Sequence, residues 1–450
     1  MTPAQMARLE KRLGDFLRWC VDGLGRRERR AALEWYLRGL LLDGERKSIE
    51  PMAERLVDDV SEVQAMRQRL QQAVTVADWD DGVLYERIAS RIERGLKSVD
   101  AFVVDDTGFP KKGWSSVGVQ RQYSGTMGRI DNCQVGTSLH LASEDGGACI
   151  GMRLYLPKEW CEDPKRRAKA GIPEDVVFEE KWRIALSLLD RALAWGLAKR
   201  PVVADAGYGD CGEFRDALVE RELHYIVGVA GSHVVWPPGE MPKAPIAVKG
   251  RRGHPQVRWV DGDATPISIA GLAKSLPHAA WRTITWREGT RGPQSGRFAM
   301  VRIRTAHRHK QGAAPGDKQW LLCEWPRSEK EPTTYYLSNL PPRTPRRRMV
   351  YLAKLRWRIE RDYQELKGEI GLDHFEGRGW RGWHHHAALV AAAHAFLTLE
   401  RVRFPPQQSS HAAGVPARAP KGAARAPRAL PAMPSISWLA GHPPPAHVIE

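Results

Sequence analysis

Two short apolar runs each end in an aspartate, and the two aspartates stand one hundred residues apart. Asp105 closes Ala101-Phe102-Val103-Val104, and Asp205 closes Pro201-Val202-Val203-Ala204. A run of this length with no polar member has no solvent face, so each predicts a strand covered on both sides. A carboxylate at the tip of such a strand is costly unless something compensates its charge. A third acid, Glu360, lies in the helical pattern Leu355-Arg356-Trp357-Arg358-Ile359-Glu360. Metal ions shared by two strand carboxylates and a helix carboxylate would compensate the charge and could cleave phosphodiesters.

The order of elements around these acids predicts an α/β chain. Residues 1–98 read as a helical domain. Met6, Leu9, Leu13, Phe16, Leu17 and Cys20 make one apolar stripe, a second helix spans Ala31 to Leu42, and a third begins near Ser48. Residues 99–230 read as the first part of a sheet domain. Alternation over Cys133–Leu141 and Ile150–Leu156, joined at Glu144-Asp145-Gly146-Gly147, predicts a hairpin beside the first strand. A helix from about Glu174 to Lys199, a strand ending at Asp205, a helix over Cys211–Glu222 and a strand over Tyr225–Val229 follow. The result is a mixed sheet with crossover helices packed on it. Residues 231–345 hold β-like runs at Val257–Val260, Arg282–Trp286, Phe298–Ile303 and Trp320–Trp325 between Pro- and Gly-rich connections, which predicts a β-rich insertion. Residues 346–403 return to helices, and 404–450 form a basic Pro- and Ala-rich segment expected to be disordered.

At about 100° per residue, Leu352, Leu355, Ile359, Tyr363, Leu366 and Ile370 share one helix face, with Arg356, Glu360 and Lys367 in a stripe along its edge. Glu365 falls roughly 140° from Glu360, toward solvent. Because strand side chains alternate, only one of Asp105 and Asp106 can face the metals, and Asp105 is favoured because it extends the apolar run. The glycines of Asp205-Ala206-Gly207-Tyr208-Gly209 suit a tight turn and close approach of a phosphate backbone.

Val104-Asp105-Asp106-Thr107-Gly108, Val203-Ala204-Asp205 and Arg356-Trp357-Arg358-Ile359-Glu360 with Lys367 resemble an insertion-sequence DDE transposase. Gly118-Val119-Gln120-Arg121-Gln122-Tyr123-Ser124-Gly125 and Gly371-Leu372-Asp373-His374-Phe375-Glu376-Gly377-Arg378 look most like the branch named after insertion sequence seven hundred and one. The resemblance covers about residues 100 to 400 and implies an RNase H-like mixed sheet with flanking helices and a β-rich insertion before the last catalytic helix. It further implies catalytic, metal-binding Asp105, Asp205 and Glu360, with Mg²⁺ or Mn²⁺ as cofactor and two-metal phosphoryl transfer on double-stranded DNA. The implied DNA partners are element ends and target, and a homodimer on DNA is expected because transposition needs two ends held together. Arg356 and Lys367 would hold phosphates, and Lys111 and Lys112 would add charge beside the first strand. Relatives carry a tyrosine three residues before the arginine of the glutamate helix; here that position is Ala353.

A formal net charge of +16 over 450 residues fits a polyanionic partner. The six cysteines form no C-x-x-C pair, which disfavours a zinc ribbon or a disulfide framework. The N-terminus shows no apolar signal segment, and no stretch is long enough for a membrane helix, so a cytoplasmic protein is expected. His384-His385-His386 is expected near a helix start or facing DNA rather than on a metal. Trp281 and Trp286 suit sheet packing more than base stacking. Arg343, Arg346, Arg347 and Arg348 read equally as phosphate contacts or a solvated charge run, and Arg26, Arg27, Arg29 and Arg30 cluster at the start of the second helix.

Overall fold

The computed structural model describes residues 2–125, 127–239, 241–245, 259, 265–289, 292–306 and 309–404. The basic tail beyond Phe404, and the 257–260 run apart from Trp259, lie outside the described residues. The chain divides into two compact units, residues 89–363 and residues 1–88 with 364 onward.

In the second of these, α1 (Pro3–Val21) starts at a capping box: the Thr2 hydroxyl accepts the Gln5 N–H, and the Gln5 side chain accepts the Thr2 N–H. Its stripe Leu13, Phe16, Leu17 and Cys20 is buried. The chain continues through α2 (Arg27–Leu41), α3 (Ile49–Leu56) and α4 (Val63–Gln71) into α5 (Asp81–Gly95), within which the unit boundary falls.

Among the described residues, 89–363 build one twelve-stranded mixed sheet. The strands are β1 (Ala101–Pro110), β2 (Gln120–Ser124), β3 (Arg129–Ala142), β4 (Gly147–Leu154), β5 (Val202–Ala204), β6 (Tyr225–Val229), β7 (Val234–Trp236), β8 (Ile267–Ser268), β9 (Arg282–Gly289), β10 (Gly292–Thr305), β11 (Lys318–Trp325) and β12 (Thr334–Ser338). The order is β2-β3-β1-β5-β6-β12-β11-β10-β7-β8, with β4 beside β3 and β9 beside β10. β1, β5 and β6 run parallel, and β3 is antiparallel to β1. Strands of the region expected as an insertion therefore extend the same sheet, joining it where β12 pairs antiparallel with β6.

Two local expectations are corrected. β1 does not stop at Asp105 but continues five residues to Pro110, because its pairing with β3 runs unbroken to Pro110 opposite Cys133. Gly108 makes this possible: a Cβ there would collide with the Ser124 hydroxyl. The helix expected from Glu174 begins only at Lys181, where α8 (Lys181–Ala194) starts. Val176 instead turns back onto the Pro173 carbonyl, and two short helices, α6 (Lys158–Cys161) and α7 (Pro164–Ala170), precede it. After β5 come α9 (Ala206–Gly209) and α10 (Gly212–Glu220), and α11 (Ile269–Ser275) follows β8.

The pattern read as one helix from residue 346 is two, α12 (Arg346–Lys354) and α13 (Trp357–Gly368). The chain tightens between them, with the Leu355, Arg358 and Ile359 amides each bonded three residues back. Leu352, Leu355 and Ile359 pack on Ala101, Val103, Val203 and Ile226, so one sheet face is covered as the apolar runs require. α8 covers β3 and β4.

The unit boundary falls again inside α13, after Tyr363. The last helix, α14 (Trp380–Arg403), is buried along most of its length. The three histidines lie near its start, as expected, and are buried in protein: His385 stacks on Trp79 and bonds the Val74 and Trp79 carbonyls, and His386 meets the Tyr36 hydroxyl at 2.8 Å. Phe16 packs on Phe396, and Arg12 pairs with Glu400. Deleting the N-terminal helices would therefore strip α14 of its cover.

Candidate active site

Alternation along β1 sends its adjacent aspartates to opposite faces. Asp106 points to the α8 side and is saturated: Thr137 Oγ1 donates at 2.9 Å, Lys181 Nζ at 2.5 Å, and the Tyr208 hydroxyl donates as well. Asp105 points to the side of α12 and α13. Its Oδ1 accepts the Asp106 N–H, and its Oδ2 accepts Arg356 Nη1 at 2.9 Å. The Tyr363 hydroxyl donates to the Asp105 carbonyl at 3.2 Å and meets Ser138 Oγ at 2.6 Å, Ser138 being the residue opposite Asp105 on β3.

Asp105 is 8 % exposed, and its carboxyl is pushed up to about 6. Burial is the main cause. Arg356 pulls the value back, while the negative charges of Asp205 and Asp106 raise it further. Asp205 stands just beyond β5, at the start of α9, and its side chain makes no capping bond. Its Oδ1 is buried with no hydrogen-bond partner. The parallel strands β1 and β5 thus bring two repelling carboxylates together where β5 ends beside the middle of β1, and the carboxyl-terminal ends of strands are where ligands settle in open α/β sheets. Gly209 is demanded by the protein's own backbone: a Cβ there would strike the Gly228 carbonyl oxygen on β6.

Glu360 opens α13 and is half exposed. Arg356, from the tight turn between the helices, donates Nη2 to Glu360 Oε1 at 2.5 Å while holding Asp105. Burial works against its charge, but Asp105, Glu360 and Asp205 raise its pKa above the ordinary value. The guanidinium bridges Asp105 and Glu360, while Asp205 acts on it only through its charge, and among the described residues no three acidic, histidine or cysteine side chains form a ready metal cluster. The aspartate pair nevertheless fits a divalent cation, since an orphaned carboxylate oxygen beside a second buried carboxylate is a hard oxygen donor set short of positive charge. Lys112 is exposed beyond the end of β1. Lys111 lies beside it, its amide bonded to the Asn132 carbonyl. Lys367 belongs to the other unit, where burial lowers its pKa to about 8 against the pull of Asp373.

Several residues of this site were not singled out in the sequence. Lys181 and Tyr208 hold Asp106, and the pKa of Lys181 is raised by Asp106 and Asp205 against the effect of burial. His140 and Asp362 form a wholly buried pair at 3.1 Å two residues from Glu360, tying α13 to β3. Burial opposes its charge, yet Cys149 and Asp362 push His140 up to about 9. The sequence carried no signal for this pair: Ser138 and His140 occupy the polar positions of a cleanly alternating strand, which reads as a solvent face, whereas both faces are buried. Ala353, where relatives have tyrosine, is buried in the core, and Tyr363 supplies a hydroxyl at Asp105 instead. Trp281 and Trp286 pack edge-on against Trp325 and Phe298 as sheet residues. Of the arginines before α12, Arg348 is bound to Asp100.

The mixed sheet and its flanking helices, with an aspartate pair at β1 and β5, make an α/β protein, and residues 20–293 match the family described as DDE superfamily endonuclease. The chain belongs to that family. The matched region takes in Asp105 and Asp205 and ends before Glu360. The chain is also 31 % identical over 171 residues to a probable transposase for insertion sequence element IS701 from Microchaete diplosiphon, covering 38 % of this chain and 42 % of that relative. Among solved structures, the piggyBac transposase synaptic complex with hairpin DNA matches at TM-score 0.37 and 9 % identity, over 84 % of this chain and 66 % of that one. Among the described residues no helix is long and apolar enough to cross a membrane.

Proposed function

We propose that the chain is the transposase of an insertion sequence, cutting double-stranded DNA at the element's ends and joining those ends to target DNA. The observation that carries this reading is the buried, unpartnered Asp205 carboxylate oxygen beside the Asp105 carboxylate, with Glu360 linked to Asp105 by Arg356. The strand arrangement β4-β3-β1-β5-β6 supports reading the core as RNase H-like. Asp105, Asp205 and Glu360 would hold Mg²⁺, or Mn²⁺ in its place, which when bound supplies the Lewis acidity that activates water or a freed 3′-hydroxyl against a phosphodiester. Asp106 does not compete, because three donors and the far side of β1 occupy it. Tyr363 fixes the β1 backbone at the reacting position. Arg356 holds the carboxylates in register and presents a planar fork suited to phosphate, with Lys111, Lys112 and Lys367 adding sequence-independent affinity. Joining two ends requires both to be held at once, which makes a homodimer on DNA the working assembly.

The test is Mg²⁺-dependent nicking and strand transfer on the DNA flanking the coding sequence, with and without chelator. Glu360→Ala should abolish both reactions while changing stability by less than about 1 kcal/mol, because its one ion pair is half exposed. Retained nicking in that variant would remove Glu360 from the site. A second reading, a DNA-binding protein that no longer cuts, draws on Arg356 already neutralising the carboxylates. DNA binding without any Mg²⁺-dependent nicking would favour it.

A further inference from the structure

We propose that the β2–β3 hairpin is an arm that grips duplex DNA within about six base pairs of the bond being cut, through Tyr123, Ile130 and Arg121. This rests on the reading of Asp105 as part of the cutting site. β3 is long enough to serve two neighbours: residues 133–142 pair with β1, and residues 129–133 pair with β2. The register is continuous. Asp105 lies opposite Ser138, Arg121 opposite Asn132, and Tyr123 opposite Ile130. Directly opposed residues share a face, and the face repeats every two residues. Counting from Ser138 to Ile130 in steps of two, Arg121, Asn132, Tyr123 and Ile130 stand on the face that carries Asp105.

The hairpin curls back toward the site rather than running straight: the Ser124 side chain lies where a Cβ on Gly108 would stand, three residues along β1 from Asp105. At ~3.4 Å per strand residue and ~3.8 Å per Cα step, Tyr123 lies no more than ~20 Å from Asp105, a distance of roughly six base pairs at about 3.4 Å each. A duplex with one phosphate at Asp105 therefore passes within reach of the arm. Tyr123 is 64 % and Ile130 60 % exposed, so an aromatic and a β-branched side chain sit paired in solvent on a strand at the sheet edge. Residues 111–132 carry four bases, Lys111, Lys112, Arg121 and Arg129, against one acid, Asp131. An apolar pair among cations is the chemistry that enters a DNA groove between two phosphate backbones. A second copy of the arm would instead bring like charges together.

The experiment uses the full chain and a duplex taken from the DNA flanking the coding sequence, beside a scrambled duplex. Tyr123→Ala combined with Ile130→Ser should weaken affinity about tenfold at fixed salt. Arg121→Gln should reduce the salt slope of log K by about one. All three side chains are exposed, so both variants should melt with the wild type. A photoactivatable group at position 123 should crosslink to nucleotides within about six base pairs of the nick. Unchanged affinity and slope, or crosslinks to a second protein chain in place of DNA, would overturn the arm. Nicking by the wild-type chain is scored separately: its absence would overturn the functional reading, while the affinity comparison still decides the arm.

Discussion

Asp205→Asn should lose DNA cleavage by roughly a thousandfold or more, beyond the 10–100-fold cost of removing a group that only orients a metal ligand, and yet be more stable than the wild type at pH 7 in metal-free buffer. The two effects share one cause. In the folded chain the Asp105 carboxyl titrates near 6, because burial disfavours its charge and Asp205 adds repulsion that Arg356 only partly offsets. A carboxyl held above its unfolded value contributes stability that is complete below that value and is lost as pH rises through the folded one, here between about pH 4 and pH 6. The amide removes the repulsion, so Asp105 ionises more easily and the loss shrinks, by about 1 kcal/mol for each pKa unit recovered. Adding Mg²⁺ should reverse the order of stability, because the wild type gains by binding and the variant gains little. Melting curves at pH 5 and pH 7, with and without Mg²⁺, read all of this without a cleavage assay. A variant that melts below the wild type in chelator would show that Asp205 has a partner the geometry does not reveal.

The second large effect falls on Glu365, which does not face solvent as its place on the helical wheel suggested. It lies in the unit formed by the N-terminal helices and α14, where it is 6 % exposed, accepts from His394 Nε2 at 3.1 Å and is paired with Arg401. Burial pushes its pKa up, but those two partners hold it far below the ordinary carboxylate range. Glu365→Ala should therefore destabilise the chain by about 3–5 kcal/mol, the cost of leaving buried partners without their counter-charge. Since the folded value is depressed, the wild-type advantage is present above the unfolded pKa and fades as pH falls toward the folded one, so wild type and variant should converge in acid. Thermal melts from pH 7 downward test this. A melting point within a degree of wild type at pH 7 would show the pair to be incidental. Loss of activity in Glu365→Ala would then reflect loss of fold, separable from Glu360→Ala, whose fold should persist.

Strands set by fully apolar runs were readable because covering both faces leaves one solution: β6 spans Tyr225–Val229 as expected, and β1 and β5 fall where their aspartates put them. The end of β1 was not readable, since Asp105-Asp106-Thr107-Gly108 looks like a turn unless the partner strand that continues beside it is known. The break between α12 and α13 is also hidden, because the apolar spacing passes through Leu355 and Ile359 undisturbed. Direction relative to the helix axis was legible for Glu365, but burial was not, since a polar side chain and its distant partners carry no local signature. The same holds for His140 with Asp362, joined across 222 residues.

The buried His140–Asp362 pair has a mechanical consequence. It pins α13 to β3 within one turn of Glu360, and sliding the helix along the sheet would separate two desolvated charges. Asp105 is equally fixed, lodged in mid-strand and gripped at its carbonyl by Tyr363. The half-exposed Glu360 side chain is the part left to adjust, by rotating about its own bonds. The site thus combines a stiff floor with one compliant arm. Differences in the size of the bound ion, or in the path of the incoming strand, would be absorbed by torsions of a single glutamate while the backbone stays still.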